Sequence, residues 1–562
     1  MVALAGAAVQ AATITDVCTA DYVVASLPAN GSILGLTIDP SSVTAAPILN
    51  YSTGISFIDI CDVNFAYSHD GRDDQVLLNY WMPAPADFHN RYSSTGGEGW
   101  NITSLNSSLP GGVEYGAVTG TTDGGFGGFN VTSNEAWLLA NGNVNWETIY
   151  MFGYQGIYEL GVLGKQLTRN FYNMSDETRL YSYYQGCSEG GREGWSQAQR
   201  YGDELDGVLV GAPGMRFSFQ QIQHLWSPFA EYELGYYPPY CELEQIVNLT
   251  QAGCDGLDGK VDGVVARTDL CKLHFNLSTT IGQPYSCAAA AEIPNFMPAL
   301  PAQNGTITAE GVAVAEKILN GARDDQGRRI YMSYQPTAPF QDAVTAYNET
   351  TGEYGPFLVL QSAQWVELGL NLLLNDSALA NFDGVTGNTF RNWIATGWQR
   401  YQDSLETTWP DLTPFQESGA KVLHYHGESD PQVPPASSVR YYESVRSIMH
   451  PSKSYNDSVD ALNDFYRFFL IPGAAHCGAN PLQPNAPYPQ MLFPTLIDWV
   501  ENGIEPHTLN GTVTSTGEQQ QICPWPLRPF WINNGSTLDC QYDQKSLDTW
   551  KYDLDAFRMP IF

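Results

Sequence analysis

The sequence predicts an α/β fold with a mainly parallel sheet, interrupted by a large insertion. Strand-like apolar runs alternate with helical patterns in two blocks, one before about residue 215 and one after about residue 395. Between them the texture shifts to a stretch rich in Tyr, Pro, Gly and Cys, with helical patterns such as TAEGVAVAEKILNGA but few long apolar strands. At 562 residues the chain is also too long for one compact layer. The expected division is a main domain from residues 13–214 and 396–562, with 215–395 inserted as a lid. The apolar, small-residue start, residues 1–12, resembles the tail of a signal peptide.

Taken in order, ISFIDICDVNFAYSH and VLLNYWMP read as strands, and SSTGGEGW after them as a Gly-rich turn. RLYSYYQG is a Tyr-rich strand that runs straight into Gly186-Cys187-Ser188-Glu189-Gly190, and GREGWSQAQRY after it is a helix. A Gly-x-Ser-x-Gly between a strand and a helix holds the serine oxygen exposed on a sharp turn, so Ser188 is the candidate nucleophile. DGVLVGAPG supplies the next strand. KVLHYHGESDPQVPP and FYRFFLIPGAAHCGAN are each a strand followed by a loop, and the loops carry Asp430 and His476.

A serine hydroxyl needs a base to take its proton, and in this layout the partners follow as Ser, acid, His. Both loops lie just past the C-terminal ends of strands, where open α/β sheets place their ligands. Asp430 is favoured over Glu428 because its Asp-Pro-x-Val-Pro turn resembles the acid loop of hydrolases with this layout, and His424 and His426, competitors for the base, fall inside the strand ahead of the acid and read more readily as structural. One oxyanion donor is expected from the amide of Glu189, and a second from the Gly96-Gly97 turn, taken as Gly97.

Cys187 precedes Ser188 and Cys477 follows His476. Catalysis brings serine and histidine within hydrogen-bond reach, so the two cysteines approach as well, and a disulfide between them is expected. The ten cysteines are even in number and stand among many Asn-x-Ser/Thr sequons, including Asn30, Asn50, Asn101, Asn130, Asn173, Asn248, Asn304, Asn375 and Asn510. That combination argues for secretion and glycosylation. The formal charge of −34 at pH 7 opposes nucleic acid and anionic membrane surfaces. No apolar run reaches transmembrane length, and oligomeric state is left open.

GCDGLDGKVDGVV carries Asp255, Asp258 and Asp262 with glycines that allow a tight wrap. Alone it reads as an acidic turn or as a site of hard oxygen ligands suited to calcium, with backbone carbonyls of Lys260 and Val264 completing the shell. The dibasic pair Arg328-Arg329 reads as a solvated turn or a processing site.

The Cys-Ser elbow, the distant Asp and the His-Cys pair together resemble the tannase and feruloyl esterase family of secreted α/β-hydrolases. GCSEGGREGWSQAQRYGDELDGVLVGAPG is most similar to the fungal tannases within it. One departure is Glu98, which breaks a turn that is usually an unbroken glycine run. The resemblance implies an α/β-hydrolase fold, a structural calcium at the aspartate loop and no organic cofactor. It also implies the pairings Cys18–Cys61, Cys241–Cys287, Cys254–Cys271 and Cys523–Cys540. The expected activity is hydrolysis of galloyl esters and depsides of hydrolysable tannins, a small-molecule aromatic substrate. A feruloyl esterase acting on cell-wall hydroxycinnamate esters is the alternative within the family. A non-catalytic polyphenol- or carbohydrate-binding glycoprotein is the alternative outside it.

Overall fold

The computed structural model describes residues 13–562 except 105–107, 141, 294–296, 371–378 and 380. Residues 1–12 and the sequon at Asn375 lie outside the described residues.

Nine strands form one sheet: β1 (Leu36–Ser52), β2 (Phe57–His69), β3 (Val76–Pro83), β4 (Arg91–Thr95), β5 (Ala117–Thr122), β6 (Tyr181–Cys187), β7 (Gly207–Gly211), β8 (Lys421–Gly427) and β9 (Tyr466–Ile471). Their order is β1-β2-β3-β5-β4-β6-β7-β8-β9. The first three strands and β5 pair antiparallel, whereas β5-β4-β6-β7-β8-β9 run parallel. The sheet is thus mixed, consistent with an α/β-hydrolase. The antiparallel end follows from short connections: β2 and β3 are joined by a turn, which leaves no length for a crossover.

Helices cover both faces. Here α1 is Gly156–Phe171, α2 Glu189–Arg200, α3 Phe217–Gln223, α4 Tyr240–Cys254, α5 Gly387–Tyr401, α6 Ala436–Met449 and α7 Leu492–Asn502. Side chains alternate along β6, so Tyr184 joins the large core that contains Leu160 and Trp195, while Tyr183 joins a second core with Phe493 and Trp499. Burial on both faces explains why β7 reads as a continuous apolar run, whereas β8, buried almost as fully, carries His424 and His426.

Between β7 and β8 the chain is helical, with two small hairpins, Pro284–Cys287 against Gln303–Thr306 and Ala346–Asn348 against Glu353–Gly355. Part of it builds a separate apolar cluster around Leu243, Ile246, Ile318 and Phe340, and part, including Phe217, Trp365 and Phe390, joins the main core. The dibasic pair lies in a tight turn in which Asp324 pairs with Arg328 and Arg329 donates to the Asn320 carbonyl.

The ten cysteines form five disulfides, Cys18–Cys61, Cys187–Cys477, Cys241–Cys287, Cys254–Cys271 and Cys523–Cys540. Asn30, Asn50, Asn130, Asn173, Asn248, Asn304 and Asn510 are exposed. Asn101 differs: it is half-buried in the wall of a cavity of about 780 Å³, where a glycan would fill the space, so its sequon is a poor attachment site. Among the described residues, no helix is long and apolar enough to cross a membrane.

Candidate active site

β6 ends at Cys187 and α2 begins at Glu189, leaving Ser188 alone at the turn with φ 63° and ψ −120°. That conformation is costly for a residue with a Cβ and persists only where the surroundings impose it. Here the Ser188 amide donates to the Gly211 carbonyl at the end of β7 (3.0 Å), and its carbonyl accepts from the Arg192 amide (3.1 Å). Glycine is needed beside it: a Cβ on Gly191 would lie 2.3 Å from the Gly211 carbonyl oxygen.

The loop after β8 is folded around Asp430, which is fully buried. Its Oδ1 accepts from the amides of Gln432 (2.8 Å) and Val433 (2.9 Å). Its Oδ2 accepts from Nδ1 of His476 (2.8 Å) and from Nε2 of His426 (3.0 Å). Burial alone would raise this carboxyl, but the charge of His476 and the bonds from both histidines hold it well below the usual carboxylate range. Glu428 points elsewhere, onto Arg528 and the Thr268 hydroxyl. Nε2 of His476 is buried and has no partner among the described residues. Ser188 and His476 line the same cavity, of about 780 Å³.

Cys187 and Cys477 are bonded with their Cα atoms 6.0 Å apart, tying the elbow to the histidine loop. From sequence His426 is a weaker rival of His476 for the base and more readily a structural histidine, and nothing local signals its contact with Asp430, which depends on how the following loop folds back.

The amide of Glu189, the first residue of α2, has no intrahelical acceptor by position. Gly97 is a correction. Its N–H donates to Oε2 of Glu193 (3.0 Å) and is not free for an oxyanion. The Gly96 amide is likewise bonded to the Gln185 carbonyl (3.3 Å), and the Glu98 amide to that of Asn101 (3.1 Å). The physical reason is a buried acidic group beneath the turn. Burial and the neighbouring Glu189 carboxylate push the Glu193 carboxyl far above its ordinary value, and it is held by Gly97 and the Tyr184 hydroxyl. Glu98 itself is exposed.

From the segment between β7 and β8, Phe217, Gln220, Gln221, His224 and Gln361 reach the cavity wall, where Gln185 and Gln432 join them. His224 is fixed by Asp342, whose carboxylate accepts from its Nδ1 (2.9 Å) and from the Tyr334 hydroxyl (2.8 Å). The sequence reading could not name these residues because they converge from distant helices.

In the aspartate loop, Asp255 and Asp258 are buried. Asp255 Oδ1 accepts from the Asp262 amide (3.0 Å), Asp258 Oδ1 from the Lys260 amide (3.0 Å) and Asp262 Oδ1 from the Val264 amide (3.1 Å). Lys260 Nζ pairs with Asp262 Oδ2 (3.0 Å), and the Cys254–Cys271 bond clips the loop. Burial and the neighbouring Asp262 and Asp255 carboxylates push the Asp258 carboxyl up to about 7.

A family model described as "Tannase and feruloyl esterase" matches residues 61–545. The chain belongs to the tannase and feruloyl esterase family. Membership makes it a carboxylic ester hydrolase. Within the family it is 47% identical to a tannase of Aspergillus oryzae, over 100% of this chain and 99% of that one. It is 30% identical to a probable feruloyl esterase B-1 of the same species, over 83% of this chain and 80% of the relative. Among solved structures it resembles the tannin acyl hydrolase from Aspergillus niger, with 54% identity, a TM-score of 0.94 and coverage of 99% and 100%.

Proposed function

We propose that the chain is a secreted serine esterase that hydrolyses galloyl ester and depside bonds of hydrolysable tannins and releases gallic acid. The observation that carries the chemistry is the unpartnered, buried Nε2 of His476 on the wall of the cavity that also holds the strained Ser188. Full-length likeness to a tannase and to a tannin acyl hydrolase supports the substrate class. In this reading Ser188 Oγ attacks the ester carbonyl while His476 Nε2 takes its proton. The Glu189 amide faces the charge that develops on the carbonyl oxygen. His476 then protonates the departing alcohol and later activates water to release the acyl group. Asp430 holds the imidazole tautomer and stabilises its charged form throughout. Residues 215–395 act as the lid, and five disulfides together with the absence of a spanning helix among the described residues agree with export.

A gallate ring carries three hydroxyls and no propenyl spacer, so its pocket must sit close to the serine and supply polar partners. Gln220, Gln221 and Gln361, with Gln185 and Gln432 beside them, are polar groups of the wall that could serve as such partners. A pocket with polar groups rejects a ligand that leaves them unpaired. Methyl gallate is therefore expected to be cleaved with a specificity constant at least ~100-fold above that for methyl ferulate. Equal or reversed constants on purified enzyme would favour the feruloyl esterase reading, which the 30% identity to a probable feruloyl esterase B-1 keeps open.

The donor chemistry of the aspartate loop supports calcium: Asp255 and Asp258 are buried carboxylates, and Asp262 follows them in the same loop, paired with Lys260. Asp255, Asp258 and Asp262 would bind it with the carbonyls of Lys260 and Val264, and its contribution would be to neutralise the loop, with no part in the ester chemistry. A chelator is expected to lower the melting temperature by roughly several degrees, and added calcium to restore it. No shift, in protein that elemental analysis shows to be metal-free, would make the loop an ordinary acidic turn.

A further inference from the structure

Asp430 is one end of a buried chain of side chains that runs away from the cavity. His426 Nε2 lies 3.0 Å from Asp430 Oδ2 and 3.0 Å from the Val433 carbonyl. Both are acceptors, so this nitrogen carries a hydrogen. On the other side of the ring, Nδ1 of His426 is 2.7 Å from Ser438 Oγ, on the first turn of α6. The same Oγ is 2.9 Å from Nε2 of His424, and Nδ1 of His424 is 2.8 Å from the Tyr466 hydroxyl on β9. All five residues are 0% exposed.

The partners fix the order of protons from both ends. Among the described residues the Tyr466 hydroxyl has no acceptor other than His424 Nδ1, so it donates there. His424 Nε2–H then donates to Ser438, Ser438 O–H donates to His426 Nδ1, and His426 Nε2–H donates to Asp430. Each donor meets an acceptor, with both imidazoles neutral. The reverse order needs a cationic His426 and strands the buried tyrosine proton, an expensive arrangement. Burial and the neighbouring His426 also push His424 well below its ordinary value, in keeping with a neutral ring.

We propose that Tyr466, His424, Ser438 and His426 form a one-directional hydrogen-bond chain that holds the Asp430 carboxylate in the position from which it orients His476. The inference rests on the esterase reading of Ser188, Asp430 and His476. His426 and Ser438 are positioning residues: they meet no substrate and act through Asp430. A carboxylate held by two loop amides and one imidazole can swing with that imidazole. A second N–H on the same oxygen, backed by a chain whose bonds reinforce one another, removes this freedom.

The test compares kcat, KM and thermal unfolding of wild type, Ser438→Ala, His426→Gln and His426→Leu on any ester that the wild type turns over. Loss of one supporting hydrogen bond in Ser438→Ala should lower kcat by about tenfold with KM within about twofold. His426→Leu should lower kcat by about 100-fold, as expected for a displacement near 1 Å. Glutamine can offer an N–H in place of Nε2–H, so His426→Gln should recover most of that loss. A folded Ser438→Ala or His426→Leu enzyme with wild-type kcat overturns the proposal, as does a His426→Gln enzyme no better than His426→Leu. Should His426→Leu fail to fold, Ser438→Ala decides. Wild-type turnover tests the esterase reading; only the ratio of variant to wild type tests the chain.

Discussion

Replacing Ser188 with alanine is expected to lower turnover of methyl gallate on the order of a millionfold, the scale seen when the nucleophile of such a site is removed. Thermal unfolding should hardly change. The unusual backbone at 188 is imposed by the Gly211 and Arg192 contacts, and alanine keeps the same Cβ. The lost hydroxyl caps no amide of α2, so no fold-supporting bond goes with it. A folded Ser188→Ala protein with near-normal kcat would sink the nucleophile assignment.

Asp430→Asn should lower kcat by about 10⁴-fold, the cost of the same exchange in Ser-His-Asp sites. The geometry here makes the reason concrete. The carboxylate receives four N–H bonds, two on each oxygen. An amide has one oxygen, so its N–H₂ group must face either the amides of Gln432 and Val433 or the imidazoles of His476 and His426. In both orientations donors oppose donors, and the second forces His476 into the wrong tautomer. Calorimetric stability should fall as well, because buried donors lose their acceptor. Activity of Asp430→Asn within tenfold of wild type would show that the carboxylate is dispensable.

Partners that a motif or a strand end marks were legible in the sequence, and those without a local mark were not. The elbow around Ser188 could be read because a strand, a Gly-x-Ser-x-Gly and a helix are contiguous. Asp430 and His476 could be placed because each follows a strand. The Cys187–Cys477 bond followed from assuming that serine and histidine meet. Gly97 was misread for a complementary reason: a glycine turn after a strand signals free amides, but the group that occupies this one is Glu193, 96 residues away in the chain, and the sequence holds no local mark of that pairing. His426 was read as a core histidine because periodicity reports only which face of β8 it occupies. The polar wall formed by Gln220, His224 and Gln361 arises from assembly, beyond the reach of a local pattern.

The bond between Cys187 and Cys477 also decides what a broken backbone would mean. Of the five disulfides, it alone spans residues 288–476, the others closing within 18–61, 241–287, 254–271 and 523–540. A nick anywhere in that interval, the Arg328-Arg329 turn included, would yield a two-chain protein with one covalent link. Where the break falls before Asp430, as at that turn, Ser188 would belong to the first chain and Asp430 with His476 to the second. The reacting groups would sit on different polypeptides, held in register by a sulfur bridge adjoining the nucleophile, and a thiol reductant would part the fragments at the site itself.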